Sequence, residues 1–463
     1  MSSVLSDWND TIVALATAPG VGAIAVIRLS GEKSIDIVNL LFKEKNLSAQ
    51  PSHTLHVGTL QHNGNVIDEV VVALYKAPRS YTGENIVEIS CHGSPYIQQQ
   101  IIQACVEKGA RLAKPGEFTQ RAFLNGKMDL AQAEAVADVI AAHSGAAQQA
   151  ALKQLRGGFS GDLKSLRDQL IQFAALIELE LDFSDEDVEF ANREELRKLV
   201  TDLKSKISML IQSFRLGNVI KNGVSVAIIG SPNVGKSTLL NALLNEDRAI
   251  VSDIAGTTRD TIEETLNING VLFRIIDTAG IRQHTADVIE QIGVEKSFEK
   301  MKGADMVLGL FDAARDSLEE VEARITAFEK EGLKYLVVIN KTDIAGEDNT
   351  RKKFAPVAGK ALFISARQQL YLDNLKKRLY NTVIEGDIHT ENTIVTNARH
   401  ISSLQNTLQC LEDIEAGMKN GLTGDLLAPD IRRCLHYLGE ITGEVEVDRD
   451  ILGTIFGKFC IGK

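Results

Sequence analysis

No stretch of the sequence reaches the roughly 18–20 consecutive apolar residues that a bilayer-spanning helix needs, so no membrane segment is expected. No base precedes Arg28, whereas Asp7 and Asp10 do, which is the reverse of a secretory signal. Cysteine is scarce: the five, at 91, 105, 410, 434 and 460, are odd in number and lack CxxC spacing. Neither a disulfide framework nor a zinc site is expected, and the cytosol is the expected compartment. Positive charge is in deficit, 50 Lys+Arg against 62 Asp+Glu for a net charge of −12. That excludes a protein that coats nucleic acid through bulk electrostatics and leaves any RNA contact to a local patch. A 20- to 50-residue repeat and low-complexity tracts are also missing, which removes solenoid architectures.

What is present is globular composition, 44% hydrophobic and 24% charged. The 463 residues suit about three domains at roughly 100–200 residues each. β-rich runs at 23–29, 66–74 and 86–90, punctuated by Gly20, Gly22, Gly31, Gly83, Gly93 and Gly116, predict strands, and 97–106 has helical spacing. Residues 1–125 therefore read as an α/β domain. From Leu130 through Ile177 the texture is Ala, Gln, Leu and Glu with almost no turn signals, and a second helical run covers 194–214. Between them the acid-rich stretch 178–189 reads as a solvated helix end and loop. Apolar runs alternate with helices over 221–384, after which Ile401, Leu404, Leu408 and Leu411 share one helical face. The helical segments 126–220 and 385–463 each need a covering layer, so together they predict one discontinuous domain with an α/β unit inserted.

That unit carries the chemistry. An apolar strand at 224–229 runs into Gly230-Ser231-Pro232-Asn233-Val234-Gly235-Lys236-Ser237, followed by a helix from Thr238, which is GxxxxGK[ST] in its strand–loop–helix setting. Backbone N–H groups of such a loop close around phosphates, Lys236 reaches the β- and γ-phosphates, and Ser237 can ligate Mg²⁺. Asn340-Lys341-Thr342-Asp343, at the end of another apolar strand, reads NKxD. A carboxylate at Asp343 can accept from guanine N1–H and its exocyclic amine together, a donor pair adenine lacks, so GTP is the expected nucleotide. Ser365-Ala366-Arg367 matches the loop that backs the guanine. Gly256-Thr257-Thr258-Arg259-Asp260 and Asp277-Thr278-Ala279-Gly280 supply a switch pair: Thr258 to close on Mg²⁺, Asp277 to hold the ion through water, the Gly280 amide to sense the γ-phosphate. Between them Asn269-Gly270 predicts a hairpin. Ile281 stands where a Ras-like protein places its water-orienting Gln, so hydrolysis is negligible without help or a polar residue of the next loop, Asp287 or Glu290, takes that task.

Further signatures are Ala16-Thr17-Ala18-Pro19-Gly20 with Arg28, Tyr81-Thr82-Gly83-Glu84, the run from Lys114-Pro115-Gly116-Glu117 to Asn125-Gly126-Lys127, and the terminal Cys460-Ile461-Gly462-Lys463. With these, the chain from Thr11 to Lys463 resembles the MnmE (TrmE) family of tRNA modification GTPases. The resemblance implies an N-terminal tetrahydrofolate-binding α/β domain that dimerises (1–125), a discontinuous helical domain (126–220 and 385–463) and an inserted Ras-like α/β P-loop G domain (221–384). It implies K⁺ contacts at Asn233, Ser252, Ile254 and Thr257, Mg²⁺ contacts at Ser237 and Thr258, and a catalytic glutamate at Glu290, with Asp287 the fallback because the spacing from Gly280 is about one residue long. Folate contacts map to Arg28, Glu88, Lys127 and Lys463. Cys460 is open to two readings, a nucleophile or a buried inert thiol, the second favoured. The implied activity is K⁺-stimulated GTP hydrolysis. With an FAD-dependent partner, MnmG, in a heterotetramer or larger complex, it serves to build a carboxymethylaminomethyl or aminomethyl group at C5 of the wobble uridine of certain tRNAs. The one-carbon unit comes from 5-formyl- or 5,10-methylenetetrahydrofolate. The implied assembly is a cytoplasmic homodimer with no membrane contact. The competing expectation is a switch-type GTPase of ribosome assembly, without one-carbon chemistry.

Overall fold

The structure, a computed structural model, describes residues 10–182, 193–247, 264–276, 303–384, 394–444, 459 and 462. Six strands, β1 (Ile12–Leu15), β2 (Ile24–Ser30), β3 (Thr54–His62), β4 (Asn65–Tyr75), β5 (Ile86–His92) and β6 (Arg111–Leu112), pair in the order β3-β4-β5-β2-β1-β6. All pairings are antiparallel except β1 with β6. Alternation along each strand decides the faces. Ala25, Ile27 and Leu29, Val70, Val72 and Leu74, and Val87, Ile89 and Cys91 are buried on one side against helices α1 (Ser34–Leu41) and α2 (Pro95–Glu107). Full burial of each large aliphatic side chain stabilises by about 1.5–3 kcal/mol, enough to set register. The register in turn places Arg28 directly opposite Glu88 on the other face.

A knot of charge closes the end of this sheet. Arg121, on helix α3 (Glu117–Leu124), is only 2% exposed. Its Nη2 donates to Asp10 (2.6 Å) and Glu117 (3.0 Å), and its Nη1 to Glu84 (3.2 Å). Arg111 adds a second guanidinium on Asp10 and Glu117. Burial would raise the Glu117 carboxyl, but Arg111, the Lys114 N–H and Arg121 outweigh it and hold it below its ordinary value, and Asp10 follows the same pattern. Arg121→Leu would take one of two guanidiniums from Asp10 and Glu117 and the guanidinium on Glu84, and a loss of about 3 kcal/mol is expected in a denaturant titration. Groups with depressed folded pKa stabilise above the unfolded carboxylate pKa, so the parent chain's margin should fall as pH drops through the folded values, and the variant's should change less.

The helical run expected from Leu130 to Ile177 is three helices, α4 (Leu130–Ile140), α5 (Gly145–Leu155) and α6 (Gly158–Asp182). Ser144 breaks it first, its Oγ accepting from the Ala147 N–H as an N-cap. Gly157, left-handed at φ 83°, breaks it again. Helix α7 (Arg193–Asn222) packs along the helix Ala398–Lys419, with Lys204 on Glu415 at 2.6 Å and the Val395 N–H on Ser213 Oγ at 3.1 Å. Helical segments from either side of the second sheet thus form one discontinuous domain.

That second sheet comprises β7 (Val224–Ile229), β8 (Glu264–Ile268), β9 (Val271–Ile276), β10 (Met306–Asp312), β11 (Tyr335–Asn340) and β12 (Ala361–Phe363), in the order β12-β11-β10-β7-β9-β8. Only the hairpin β8–β9 is antiparallel, turning through Asn269 and Gly270 at φ 51° and 82°. Every residue of β10 is buried, as a strand covered on both faces requires. Val321 and Ile325 of the helix Leu318–Lys330 pack on one face, and Leu375 and Leu379 of the helix Leu372–Val383 on the other.

Candidate functional site

Parallel register brings three loops to one edge. Gly309 of β10 lies opposite Ile229 of β7, and Asp312 opposite Asn340 of β11, so the segments leaving β7, β10 and β11 emerge side by side at the carboxyl ends of the strands. After β7 the loop passes through Asn233 and Gly235, both left-handed at φ 61° and 106°. It enters helix α8 (Lys236–Asp247), whose first turn is Lys236, Ser237 and Thr238. The first-turn N–H groups and positive dipole end of α8 therefore face the loop. Lys236 Nζ donates to the carbonyls of Gly230 (2.6 Å) and Ser231 (3.2 Å), and burial pushes its pKa down. Asn233 and Thr238 are exposed and Val234 is buried.

Asn340 joins this loop to the segment that carries Ser365 and Ala366. It is 2% exposed; its Nδ2 donates to the Val234 carbonyl at 3.0 Å, and its Oδ1 accepts from the Ala366 N–H at 2.9 Å. A Cβ on Gly235 would stand 2.4 Å from Asn340 Nδ2, so only glycine permits the approach. Ser365 Oγ donates to Asp343 Oδ1 at 2.7 Å and accepts from the Gln368 N–H at 3.2 Å, which orients the carboxylate. Arg367 follows, exposed. The structure thus brings together Asn233, Val234, Gly235 and Lys236 with Asn340, Lys341, Asp343, Ser365 and Ala366. Ser252, Ile254, Thr257, Thr258, Asp277, Thr278, Ala279, Gly280, Asp287 and Glu290 lie outside the described residues; β9 ends at Ile276, one residue before Asp277.

One participant was missed from sequence. Asp312, at the end of β10, is 4% exposed and accepts from Lys341 Nζ at 2.7 Å, while Lys341 Nζ also donates to the Asn233 carbonyl at 2.7 Å. Burial raises the Asp312 carboxyl, but Lys341 and the Ala314 N–H outweigh it and leave it below its ordinary value. An acid closing an apolar strand was the available signal, and it matches no spacing rule.

On the first sheet, Arg28 and Glu88 meet as the register dictates, Nη2 to Oε1 at 2.7 Å and Nε to Oε1 at 2.8 Å. The guanidinium lies 5.7 Å from the Tyr81 ring centre and 5.8 Å from that of Phe118. Lys127 Nζ donates to the carbonyl of Pro78 in the loop that carries Tyr81. Near the far end of the chain, Phe459, like Phe123 and Met128, packs against the cluster of Leu130 and Ala133, and the Gly462 carbonyl lies 3.5 Å from Arg28 Nη1. Gly462 is left-handed, and a Cβ there would stand 2.2 Å from the Leu15 carbonyl. Cys460 and Lys463 lie outside the described residues.

Comparison with known proteins adds findings of three kinds. The family model described as GTP-binding protein TrmE N-terminus matches residues 11–127, and the model described as MnmE helical domain matches residues 130–460. The tRNA modification GTPase MnmE of Cytophaga hutchinsonii is 52% identical over 462 residues, covering 100% of both chains. That of Christiangramia forsetii is 52% identical over 473 residues, covering 98% of this chain and 99% of its own. A solved structure of Era in complex with MgGDPNP and nucleotides 1506–1542 of 16S ribosomal RNA is 32% identical over 40% of this chain and 66% of that one, at a TM-score of 0.27.

Proposed function

The chain belongs to the MnmE family of tRNA modification GTPases, and from that membership we propose that it is a cytoplasmic, K⁺-stimulated GTP hydrolase. With an FAD-dependent partner protein it modifies C5 of the wobble uridine of certain tRNAs, using a tetrahydrofolate one-carbon unit and acting as a homodimer. Residues 1–125 form its folate-binding and dimerisation part, 221–384 its G domain, and 126–220 with 385–463 its helical domain. The observation that carries the GTP reading is the Ser365 hydroxyl on the Asp343 carboxylate, beside an Asn340 amide that joins the P-loop to Ala366.

The residues fit the groups this function requires. Asn233, exposed on a loop whose backbone is pinned by Lys341, and Ser237, on the first turn of α8, offer neutral oxygens of the kind that suit K⁺ and Mg²⁺. When bound, such cations neutralise negative charge on the transferring phosphoryl group. Lys236 is placed to hold phosphate oxygens at the same loop. For a folate, Arg28 beside Glu88, flanked by two aromatic rings, offers a cation and a carboxylate to a ligand with both acidic and donor groups. Pairing with Arg28 fixes the Glu88 carboxylate for ring donors and leaves Lys127 and Lys463 for the glutamate tail.

The test is reconstitution. The full chain, the FAD-dependent partner, unmodified tRNA, GTP, K⁺ and ¹⁴C-labelled 5,10-methylenetetrahydrofolate are expected to place label on the wobble uridine. Deleting Cys460–Lys463 is expected to leave GTP hydrolysis intact, abolish labelling and weaken 5-formyltetrahydrofolate binding. Full labelling by the truncated chain overturns the folate assignment. Hydrolysis without labelling by the full chain leaves only a switch-type GTPase.

A further inference from the structure

Asp312 belongs to none of the GTP-binding segments, yet it is the most deeply buried carboxylate at the nucleotide edge among the described residues. Its Oδ1 accepts from the Ala314 N–H at 2.9 Å, and its Oδ2 accepts from Lys341 Nζ at 2.7 Å. Lys341 is itself left-handed, at φ 65°, and its ammonium reaches over the P-loop to the carbonyl of Asn233, whose φ is 61°. A lysine is a compact charge on a flexible four-carbon stem, so a single bond to a carbonyl would leave it many rotamers. A second, charge-assisted bond to a buried acid removes that freedom. The chain Asp312–Lys341–Asn233 therefore runs from the end of β10, across the residue that precedes Thr342-Asp343, to the crest of the loop.

We propose that Asp312 is a positioning residue that fixes Lys341 across the P-loop and, through it, the left-handed backbone of Asn233, so that guanine recognition and monovalent-cation activation share one support. The cation half rests on the reading of Asn233 given under Proposed function; the nucleotide half does not. A role confined to the turn after β10 is the alternative, since Asp312 also accepts from the Ala314 N–H.

Asp312→Asn separates the two, because an amide oxygen can still accept from Ala314 while the charge that holds Lys341 is gone. Binding of a fluorescent GDP analogue, measured in Na⁺ buffer with Mg²⁺ and without K⁺, is expected to weaken about tenfold. Lys341→Met is expected to weaken it at least as much, and the double variant no further than Lys341→Met alone, because one support is removed only once. In both single variants the K⁺ concentration for half-maximal GTP hydrolysis is expected to rise by a similar factor. Unchanged GDP affinity in a folded Asp312→Asn chain, or a double variant whose loss is the product of the two single losses, overturns the proposal. If Asp312→Asn does not fold, Lys341→Met still decides: an unmoved K⁺ midpoint removes the link to Asn233. A parent chain with no K⁺ response at all removes the cation reading of Asn233 and leaves the GDP comparison standing.

Discussion

Asp343→Asn is expected to weaken GTP binding by about 10⁴ and to gain xanthosine triphosphate in its place. The carboxylate already receives the Ser365 hydroxyl on Oδ1, and its remaining acceptor capacity suits two parallel donors, which guanine presents as N1–H and an exocyclic amine. An amide at this position turns one acceptor into a donor that faces another donor. That is a repulsive element against guanine and a match to the carbonyl xanthine carries there. Ser365 is fully buried and tied to Gln368, so the side chain has little room to swing away and relieve the clash. Competition of GTP and xanthosine triphosphate against a labelled analogue measures both changes. Unchanged GTP affinity would mean that Asp343 does not read the base.

What could be read before the fold was seen was whatever is encoded within a few neighbouring residues. The strand–loop–helix from Val224 into α8 and the Asn269-Gly270 hairpin depend on local geometry, which glycine, asparagine and an apolar run announce by themselves. What could not be read depends on register between distant strands. Arg28 and Glu88 lie 60 positions apart and meet only because β2 and β5 align as they do. Asp312 and Lys341, 29 positions apart, meet because β10 and β11 end level. The charge knot follows the same logic: Glu117 and Arg121 stand in a recognisable run, but nothing local says that Arg121 would be buried against Asp10, 111 positions away. The division of 130–177 into three helices was legible in Ser144 and in Gly157-Gly158, signals outweighed by the alanine-rich texture around them.

Exchanging K⁺ for Na⁺ is expected to lower the rate of GTP hydrolysis by about 10³ or more, the order of effect that separates Ras-like proteins with and without a charge-neutralising finger. Ile281 has an aliphatic side chain that cannot orient water, and the sequence marks no arginine of the chain as a finger. Charge that develops on the phosphates must then be met by other means, and the oxygen donors available at the loop are neutral ones. Asn233 is exposed, left-handed and held through its own carbonyl by Lys341, which leaves its side chain as the residue's free means of contact with a cation. Na⁺ is smaller and fits a site sized for K⁺ less well. Asn233→Ala is therefore expected to abolish the difference between K⁺ and Na⁺ while GDP binding in Na⁺ buffer changes little. Glu290→Ala should lower kcat with nucleotide affinity unchanged, as befits a residue that acts on water rather than on the ground state. Two G domains brought face to face would complete the site, so GDP with aluminium fluoride and K⁺ should also raise the mass seen in solution. Equal kcat in K⁺ and Na⁺, with no larger species under those conditions, would leave Asn233 as an ordinary loop residue.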